Sequence, residues 1–304
     1  MDDLVVIIIL NWNGADVTNE CIDSLLKLSY RNYKIIIVDN GSVDNSLNSI
    51  ALKSPNIDVL PLIHNQGFTG GNIAGLRYAS NKYNSKFVLM LNNDTIVEPD
   101  FLTMMMATIV NVPECYAVVP KIYYYDDPSL IWFAGGRVSR ISGVVTHYGL
   151  NRRDSPKYSI PCETKFMNGC CALISIDAIN QLGFLDNQFF ANSEDADYSL
   201  RILDSNHKIY YEPKAIIFHK VSHSFKSNKG KWLAFYLAAR GIVLLQRKHL
   251  SGLSLILFYF VFSLRWVAYL TLKLLLVLDF KSIKAIYNGA YDGLKGRLRF
   301  VGQS

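Results

Sequence analysis

The chain lacks the cysteine spacing that a disulfide framework or a zinc site needs. Its five cysteines stand at positions 21, 115, 162, 170 and 171, so their number is odd, and no Cys-x-x-Cys pair occurs. Neither a disulfide-stabilised secreted domain nor a structural zinc module is therefore indicated. Free thiols in a reducing compartment are the simplest interpretation.

Carboxylates are also few in the C-terminal third, where they become scarce after Glu212 while lysines and arginines stay dense. The net charge of +6 over 304 residues is modest, and no clustered basic and aromatic motif occurs. We therefore expect no nucleic-acid partner. A basic and apolar C-terminal third instead favours binding to an anionic membrane surface.

A secretory signal is missing as well, since Asp2 and Asp3 are acidic and the apolar run Leu4–Leu10 is short. Together with a membrane-binding tail, this predicts a peripheral or monotopic protein at the cytoplasmic face of the cell membrane. Internal repeats and low-complexity linkers are absent too. The length fits one large domain with an appendage.

What the N-terminal part does contain is an alternation of short apolar runs with helical patterns. The first run is rich in β-branched residues, as in a strand buried on both faces of a sheet. The predicted strands are Leu4–Leu10, Tyr33–Val38, Val59–Ile63 and Lys86–Leu91, and the predicted helices are Thr18–Leu28, one after Asp44 and one from about Asn72 to Tyr83. This alternation predicts an α/β fold with a Rossmann-like, mainly parallel sheet and flanking helices.

The rest of the chain, up to the apolar C-terminal stretch, has more turns and shorter strand candidates. These are Ala117–Pro120, Gly143–His147, Phe166–Ile174, the strand-like Phe189-Phe190 and Ala215–Phe218. Helices are expected over Tyr198–Leu203 and Phe235–His249. Ligands of parallel sheets bind beyond the carboxyl ends of the strands, where Asn11, Asp39, Asn65 and Asp94 fall.

The segment Asn92-Asn93-Asp94 follows the fourth predicted strand and offers oxygen ligands to a divalent cation that bridges a diphosphate. One carboxylate makes a weak cage, so further ligands must come from elsewhere. His219, at the end of the run Ala215–Phe218, is the best candidate, although a histidine at a strand end is also compatible with simple packing. Imidazole with carboxylate suits Mn²⁺ better than Mg²⁺.

The densest acidic cluster of the second half is Glu194-Asp195, followed by Asp197. It precedes a predicted helix, so its charges could simply favour the positive end of the helix dipole. Alternatively, the neighbouring phenylalanines could raise the pKa of one carboxyl and make it a general base.

Two further segments have both a structural and a functional interpretation. Asp39-Asn40-Gly41-Ser42 is either a turn with a helix cap or a carboxylate that binds a nucleobase or a ribose. The glycine-rich stretch from Asn65 to Asn72 is either a loop without a ligand or a close approach to phosphate, and it is no P-loop.

Five of these motifs occur in the order seen in a known family. They are Val-Val-Ile-Ile-Ile-Leu-Asn-Trp-Asn-Gly, Ile-Val-Asp-Asn-Gly-Ser, Asn-Gln-Gly-Phe-Thr-Gly-Gly-Asn, Leu-Asn-Asn-Asp-Thr and Ser-Glu-Asp-Ala-Asp-Tyr-Ser-Leu-Arg. Over about residues 3–250 the chain resembles family 2 inverting glycosyltransferases with the GT-A fold, in the branch of rhamnosyltransferases and galactofuranosyltransferases. The resemblance implies a GT-A domain over residues 1–250, followed by C-terminal apolar helices over residues 251–304.

The resemblance also implies roles for single residues. Asp195, of the Glu194-Asp195 pair, would be the catalytic base, and Asp94 with His219 would hold Mn²⁺ or Mg²⁺. Asn168 and Gly169 would contact the acceptor. The nucleotide-sugar contacts would be Asn11, Asp39 (to the nucleobase), Asn65, Gly67, Gly71, Asn72, Asn92 and Asn93. Asn92 departs from the family, because many relatives carry Asp there.

The implied reaction is a single displacement from a nucleotide-diphosphate sugar to a hydroxyl of a lipid-linked or oligosaccharide acceptor, in cell-surface polysaccharide synthesis. dTDP-rhamnose is the leading donor and UDP-hexoses come next. A homodimer is compatible with the sequence. The alternative is a non-catalytic nucleotide-sugar-binding or scaffold protein of the same fold.

The C-terminal stretch Leu253–Leu278 exceeds the about 20 apolar residues that span a bilayer. Arg265 and Lys273 interrupt it, and each would cost roughly 2.5–3.5 kcal/mol at mid-membrane. They lie about 80° apart around a helix, so they could share a polar stripe with Ser254 and Tyr269. We therefore expect one or two amphipathic helices in the interface, while a membrane span and a dimerisation bundle stay open. Basic residues that would help are Lys281, Lys284, Lys295, Arg297 and Arg299.

Overall fold

A computed structural model describes residues 3–44, 46, 50, 54–221 and 230–299 of the chain. The helix expected after Asp44 falls outside these residues. In chain order the strands are β1 (Val5–Asn11), β2 (Tyr33–Asp39), β3 (Ile57–Pro61), β4 (Phe87–Asn92), β5 (Thr95–Val97), β6 (Cys115–Tyr124), β7 (Leu130–Phe133), β8 (Gly136–Val138), β9 (Val145–His147), β10 (Arg152–Arg153), β11 (Cys162–Thr164), β12 (Cys171–Ser175) and β13 (Lys208–His219).

The helices follow the same order. They are α1 (Ala15–Leu25), α2 (Gly67–Lys82), α3 (Phe101–Asn111), α4 (Ile176–Leu182), α5 (Glu194–Asp204), α6 (Lys231–His249), α7 (Gly252–Leu275) and α8 (Phe280–Lys295), with a 3₁₀ turn at Pro156–Tyr158. The middle of α7, Ser263–Tyr269, is π-helical.

The central sheet has the strand order β10-β7-β6-β12-β4-β1-β2-β3. Strands β3, β2, β1 and β4 run parallel to one another, whereas β12 runs antiparallel between β4 and β6. The long strand β13 pairs in parallel with β6 and in antiparallel with β5 and β11. The prediction of a mixed α/β fold with a mainly parallel central sheet is confirmed.

The apolar runs form the centre of this sheet because both faces of each strand are covered. Side chains alternate along β1, so Val5, Ile7 and Ile9 pack into the cluster that includes α1 and α3. Val6 and Ile8 point to the opposite face and pack against Leu76 of α2. All five β1 side chains are fully buried, which explains why this strand is a continuous apolar run.

Helix α2 begins at Gly67, so the predicted start near Asn72 was wrong. The glycines belong to the first turns of the helix, where the strands come too close for side chains. A Cβ on Gly71 would lie 2.2 Å from Leu10 Cδ2, and a Cβ on Gly75 would lie 2.7 Å from Ile8 Cγ2. Tertiary packing therefore overrides the poor helix propensity of glycine.

Other predicted boundaries also move. Helix α1 begins and ends three residues before the predicted Thr18–Leu28, and α5 begins at Glu194, four residues before Tyr198. Phe189-Phe190 lies in irregular structure and forms no strand, and of Phe166–Ile174 only the part from Cys171 is a strand. Strand β13 extends the short run Ala215–Phe218 to twelve residues, which end at His219.

Helices α6, α7 and α8 pack together at the C-terminal end of the described chain. Gly289 and Gly293 let α8 approach α6 closely, since a Cβ there would lie 2.3 Å from Tyr236 O and 2.7 Å from Arg240 O. Helix α8 thus packs on α6 across position 250, and the division into domains at that position stays a prediction.

Among the described residues, α7 is the helix that is long and apolar enough to cross a membrane, with 24 residues. Its inner side buries Phe258, Phe262 and Leu274 against α6 and α8. More than half of its residues are exposed, and most of the exposed ones are apolar. The large exposed ones are Leu253, Ile256, Leu257, Phe260, Leu264, Tyr269, Leu272 and Leu275. Such a surface is typical of contact with a membrane or with another protein.

The contact of α2 with the sheet predicts that Gly75→Ala lowers the free energy of unfolding by about 1–3 kcal/mol. The added methyl would lie 2.7 Å from Ile8 Cγ2 and 2.9 Å from Val38 Cγ2. Ser80→Ala, at an exposed position of the same helix, is the control and should leave stability unchanged or slightly increased. Urea unfolding measures both. A Gly75→Ala variant as stable as the wild type would refute the close packing.

Candidate active site

The carboxyl ends of β1, β2 and β4 meet at one edge of the sheet. The strand register places Asn11 beside Asp39 and Leu10 beside Asn92. Each strand switches from apolar to polar residues at this edge. Side chains that are far apart in the sequence therefore meet where α/β proteins bind ligands, as the sequence predicted.

Asn11 is fully buried and organises this edge. Its Nδ2 donates to Asp39 Oδ1 at 2.8 Å and to Ser42 Oγ at 3.2 Å, and its Oδ1 accepts from Thr18 Oγ1 at 2.8 Å. Ser42 Oγ also donates to Asp39 Oδ1 at 2.6 Å. The second oxygen, Oδ2, accepts only a long bond of 3.4 Å from the Ser42 amide, so it keeps capacity for a donor from a ligand.

The start of α2 is fixed to the end of β2 by Asn40. Its Nδ2 donates to Asn65 Oδ1 at 3.2 Å and to Gly67 O at 3.0 Å, while its Oδ1 accepts from the Gln66 amide at 2.9 Å. Gly67 has a φ of +74°, which favours glycine, and the carbonyl of Phe190 would lie 2.4 Å from a Cβ there. Asn65, Gly67 and Asp39 thus lie at one end of the sheet.

Asn72 is buried inside α2, one turn after the helix start. Its Nδ2 donates to Phe68 O at 2.9 Å, and its Oδ1 has no hydrogen-bond partner among the described residues. The positions of Gly71 and Asn72 are therefore explained first by packing. Their contact with a nucleotide stays a prediction.

A cavity of about 270 Å³ lies between the β1–α1 loop and the end of β4. It is lined by Leu10, Trp12, Asn13, Gly14, Val17, Asn93 and Asp94. Asn93 is held there by a 2.9 Å bond from its Nδ2 to Thr18 Oγ1. Trp12 is 45% exposed, and sequence reasoning gave it no role beyond ending the first strand. Its exposed aromatic face beside this cavity is a feature that the sequence alone did not reveal.

Asp94 and His219 lie side by side because β5 pairs with the end of β13, where Thr95 faces His219. His219 Nε2 is 3.1 Å from Asp94 Oδ1. The imidazole is only 7% exposed and meets the Trp132 ring edge-on at 4.6 Å between centroids. The structure thus brings together the two residues that the sequence predicted as metal ligands.

The electrostatics of this pair depend on its neighbours. Burial lowers the pKa of the His219 imidazole, whereas the contacts with Cys170 and with the Asp94 carboxylate raise it, to about 10. The Asp94 carboxylate thus favours a proton on the imidazole. A divalent cation would displace that proton, because a metal-bound imidazole is neutral.

The donor atoms of the pair fit an octahedral cation. Two ligands at about 2.1 Å from such an ion, at right angles to each other, lie about 3.0 Å apart, close to the observed 3.1 Å. Among the described residues, no cluster of three or more His, Cys, Asp and Glu is arranged to hold a metal. A cation at this pair would therefore need substrate phosphates and water to complete its coordination.

A short loop, residues 168–170, connects this pair to the acidic cluster. The Asn92 amide donates to Cys170 O at 2.8 Å, which fixes the loop to the end of β4. The Gly169 amide donates to Asp195 Oδ2 at 3.2 Å. Asn168 Oδ1 accepts from the Cys170 amide at 2.8 Å and shapes the loop itself. The loop therefore links the Asp195 carboxylate to the end of β4, two residues before Asp94.

Glu194 and Asp195 are the first two residues of α5, after a turn in which Asn192 and Ser193 have φ of +70° and +76°. Left-handed backbone at non-glycine residues is costly and is common at functional sites. Asp195 Oδ1 accepts from the Ala196 amide at 2.8 Å, and Glu194 Oε2 has no partner among the described residues. Burial raises the pKa of both carboxyls, and the charge of Asp195 raises that of Glu194 further.

A second cavity, of about 330 Å³, opens beside these carboxylates. Its lining includes His147 and Phe166 from the middle of the chain and Arg265 and Trp266 from α7. His147 Nε2 is 3.3 Å from Asn168 Nδ2, and burial lowers the pKa of its imidazole. Sequence reasoning missed His147 and Trp266 as site residues, because no spacing in the sequence connects them to Asp195.

Asp197 has a structural role and does not belong to this cavity. It is fully buried, and its carboxylate accepts from His249 Nε2 at 2.8 Å and from Arg201 Nε at 2.9 Å. Lys248 Nζ completes the network at 2.9 Å from Asp197 Oδ1. These bonds fix α5 to the end of α6 and thereby set the position of Asp195.

This network predicts a stability that depends on pH. Burial raises the pKa of Asp197, but His249, Arg201 and Lys248 outweigh burial and hold it below the ordinary value. The ionised form therefore stabilises the fold above the unfolded pKa of about 3.9, and this contribution is lost as pH falls through the folded pKa. Asp197→Asn should lower the free energy of unfolding by about 3–5 kcal/mol at pH 7 and by less at acidic pH.

Asp177→Asn, in the first turn of α4, is the control, because that side chain is exposed and lies outside the Asp197 network. Its effect should stay within about 1 kcal/mol. Chemical unfolding from pH 3 to pH 8 measures both variants. If Asp197→Asn lowered the free energy of unfolding by the same amount at every pH, the ionised state assigned to Asp197 would be wrong.

Comparisons with known proteins agree with this geometry. A sequence model described as glycosyl transferase family 2 matches residues 6–183, more than half of the chain. An N-acetylglucosaminyl-diphospho-decaprenol L-rhamnosyltransferase of Mycobacterium tuberculosis is 22% identical over 81% of this chain and 86% of its own. A poly-β-1,6-N-acetyl-D-glucosamine synthase of Staphylococcus epidermidis is 23% identical over 67% of this chain, which spans 47% of that protein's length.

Two solved structures share the fold at low sequence identity. GalNAc-T7 with UDP, GalNAc and Mn²⁺ superimposes with a TM-score of 0.62 and 16% identity, over 81% of this chain and 48% of its own. The mannosyltransferase PcManGT of Pyrobaculum calidifontis, in complex with GDP-Man and Mn²⁺, has a TM-score of 0.59 and 14% identity, over 97% of this chain and 88% of its own.

Proposed function

This chain belongs to glycosyltransferase family 2 and has the GT-A fold, and from that premise we propose that it is a metal-dependent, inverting glycosyltransferase. The observation that carries the proposal is the loop of residues 168–170, which is bonded to β4 on one side and to Asp195 on the other. This loop is our reason for proposing that the cation pair and the base act on one bound donor sugar. The reaction moves a sugar from a nucleotide diphosphate to an acceptor hydroxyl.

The donor binds at the carboxyl ends of β1, β2 and β4. Asp39, with one oxygen available, hydrogen-bonds the nucleobase, and Trp12 packs against it in the cavity of about 270 Å³. Asn93 and Asp94 line the same cavity and lie where the diphosphate would reach the cation. The two solved relatives carry UDP and GDP-Man, so a nucleoside-diphosphate donor is typical of the fold. dTDP-rhamnose is our first choice because of the rhamnosyltransferase relative.

We propose that Asp94 Oδ1 and His219 Nε2 would hold Mn²⁺ or Mg²⁺. A cation held there would supply positive charge that stabilises the departing diphosphate. The nitrogen ligand favours Mn²⁺. Trp132, in β7, meets the imidazole of His219 edge-on and helps to orient it.

Asp195 is the proposed base. The pKa of Glu194 is raised by burial and also by the charge of Asp195, so Glu194 holds its proton more firmly and Asp195 is the ionised partner. The acceptor oxygen gives its proton to an Asp195 carboxylate oxygen and attacks the anomeric carbon. The bond from that carbon to the diphosphate breaks, and the diphosphate leaves with the bonding electron pair. Because the acceptor oxygen attacks from the face opposite the diphosphate, the anomeric configuration is inverted.

We further propose a lipid-linked acceptor presented at the cytoplasmic face of the membrane. The relative from Mycobacterium tuberculosis is named for an acceptor on diphospho-decaprenol. Helix α7 offers an apolar exposed surface beside the cavity at Asp195, which suits a substrate that stays in a bilayer. The role of the protein would be in cell-surface polysaccharide synthesis.

Removing the base predicts that Asp195→Ala lowers kcat by about 10²–10⁴-fold with little change in donor affinity. In the wild type, kcat/KM should fall as pH drops through an apparent pKa above the ordinary range of a carboxyl, because burial raises the pKa of Asp195. Asp177→Asn is the control, since this exposed carboxylate occupies the first turn of another helix. Steady-state transfer assays over pH 4–9 measure both. A near-normal rate for Asp195→Ala would exclude it as the base.

The cation pair predicts that Asp94→Asn and His219→Ala each weaken Mn²⁺ binding by about 10–100-fold, since each removes one of two protein ligands. Electron paramagnetic resonance measures free Mn²⁺ during titration in the presence of a nucleoside diphosphate. His207→Ala is the control, because that imidazole stacks on Tyr116 at 3.6 Å between centroids. Among the described residues, no carboxylate is paired with it. Unchanged Mn²⁺ affinity in both site variants would place the cation elsewhere.

A further inference from the structure

Among the described residues that line the cavity beside Asp195, the basic side chains are the guanidinium of Arg265 and the imidazole of His147. Burial lowers the pKa of that imidazole and so favours its neutral form. Arg265 comes from α7, whereas Glu194 and Asp195 come from α5 on the catalytic domain. The cavity thus brings a guanidinium from an apolar helix to the site of glycosyl transfer.

Arg265 is exposed, and its guanidinium makes no hydrogen bond and no ion pair to any residue in the described ranges, although two carboxylates line the same cavity. The guanidinium is therefore available to a ligand. In a helix that enters a membrane, a charge among apolar residues marks a candidate functional site. The helix is also π-helical over Ser263–Tyr269, and such local widening is frequent at functional sites.

The outer side of the same helix is apolar. Leu253, Ile256, Leu257, Phe260 and Leu264 follow the spacing of one helix face, and all are exposed. This face suits acyl chains, and the opposite side packs on α6 and α8. Arg265 therefore stands between an apolar outer surface and a polar reaction cavity.

We propose that Arg265 binds the phosphate of a lipid-linked acceptor. Helix α7 would then set the distance between the bilayer and Asp195. The inference rests on the proposed function and names the acceptor class for the same site. A guanidinium offers a planar pair of N–H donors that matches two phosphate oxygens. Trp266, the next residue in the cavity wall, packs against the first part of the lipid chain or against the sugar.

This placement divides the acceptor into three parts. The reacting sugar hydroxyl lies at Asp195, the phosphate lies at Arg265 and the lipid follows the exposed face of α7. Lys273, on the same helix, is absent from the cavity lining and serves as the internal comparison. Its charge should act on the membrane surface in general and should not distinguish one lipid phosphate from another.

Binding of farnesyl diphosphate and of farnesol, in detergent with EDTA, tests the inference without any turnover. EDTA removes divalent cations, so a diphosphate held through a cation at Asp94 and His219 does not contribute. The wild type should bind farnesyl diphosphate at least about tenfold more tightly than farnesol. Arg265→Gln should abolish this difference, Arg265→Lys should keep part of it, and Lys273→Gln should keep all of it.

Two results would overturn the inference. One is a wild type that binds the diphosphate no better than the alcohol. The other is an equal loss in the Arg265→Gln and Lys273→Gln variants, which would indicate unspecific attraction. Melting temperatures of all variants, measured without ligand, show that they are folded.

A second arm separates the acceptor phosphate from phospholipid headgroups. Flotation with phosphatidylglycerol vesicles should be weakened by Lys273→Gln and nearly unchanged by Arg265→Gln. A selective release of Arg265→Gln from these vesicles would assign Arg265 to the bilayer surface and overturn the inference. The Mn²⁺ titrations and Asp195 kinetics can succeed or fail separately, so a failure of the proposed function is distinguishable from a failure at Arg265.

Discussion

The site depends on one short piece of backbone, residues 168–170, which is hydrogen-bonded on both sides. Cys170 O accepts from the Asn92 amide at the end of β4, and the Gly169 amide donates to the Asp195 carboxylate. These two bonds position the acidic end of α5 relative to the parallel sheet. Because Asp94 lies two residues after the end of β4, the pairing of β5 with β13 brings His219 to the same end of the sheet. The proposed cation and base thus owe their proximity to β12, the antiparallel strand beside β4.

The sheet was predictable from the sequence to within two residues or so at each end of its first four strands. Continuous β-branched runs such as Val5–Ile9 have one stable solution, a strand covered on both faces. The start of α2 was not predictable, because glycines are poor helix formers and only the contacts of Gly71 and Gly75 with β1 explain their use. The strand-like interpretation of Phe189-Phe190 was wrong because two apolar residues are too few to define a periodicity.

Part of the candidate site was predictable because its residues lie at or just after the ends of strands. Asn11, Asp39, Asp94 and His219 meet this condition, whereas Asp195 was indicated by the acidic cluster before a helix. Asp197 shows that a residue close to Asp195 in the sequence need not belong to the site. Residues two positions apart in a helix point in directions that differ by about 200°, and the Asp197 carboxylate therefore contacts Lys248. His147, Arg265 and Trp266 reach the cavity through tertiary packing alone.

The central claim is that the cation pair and Asp195 act on opposite sides of one anomeric carbon. The anomeric configuration of the product tests it most directly. NMR of the purified product gives the one-bond carbon–proton coupling at the anomeric carbon, for comparison with that of the donor. The account predicts complete inversion in a single step. A product with the donor's configuration would contradict it, because retention requires a different arrangement of groups around the bound sugar.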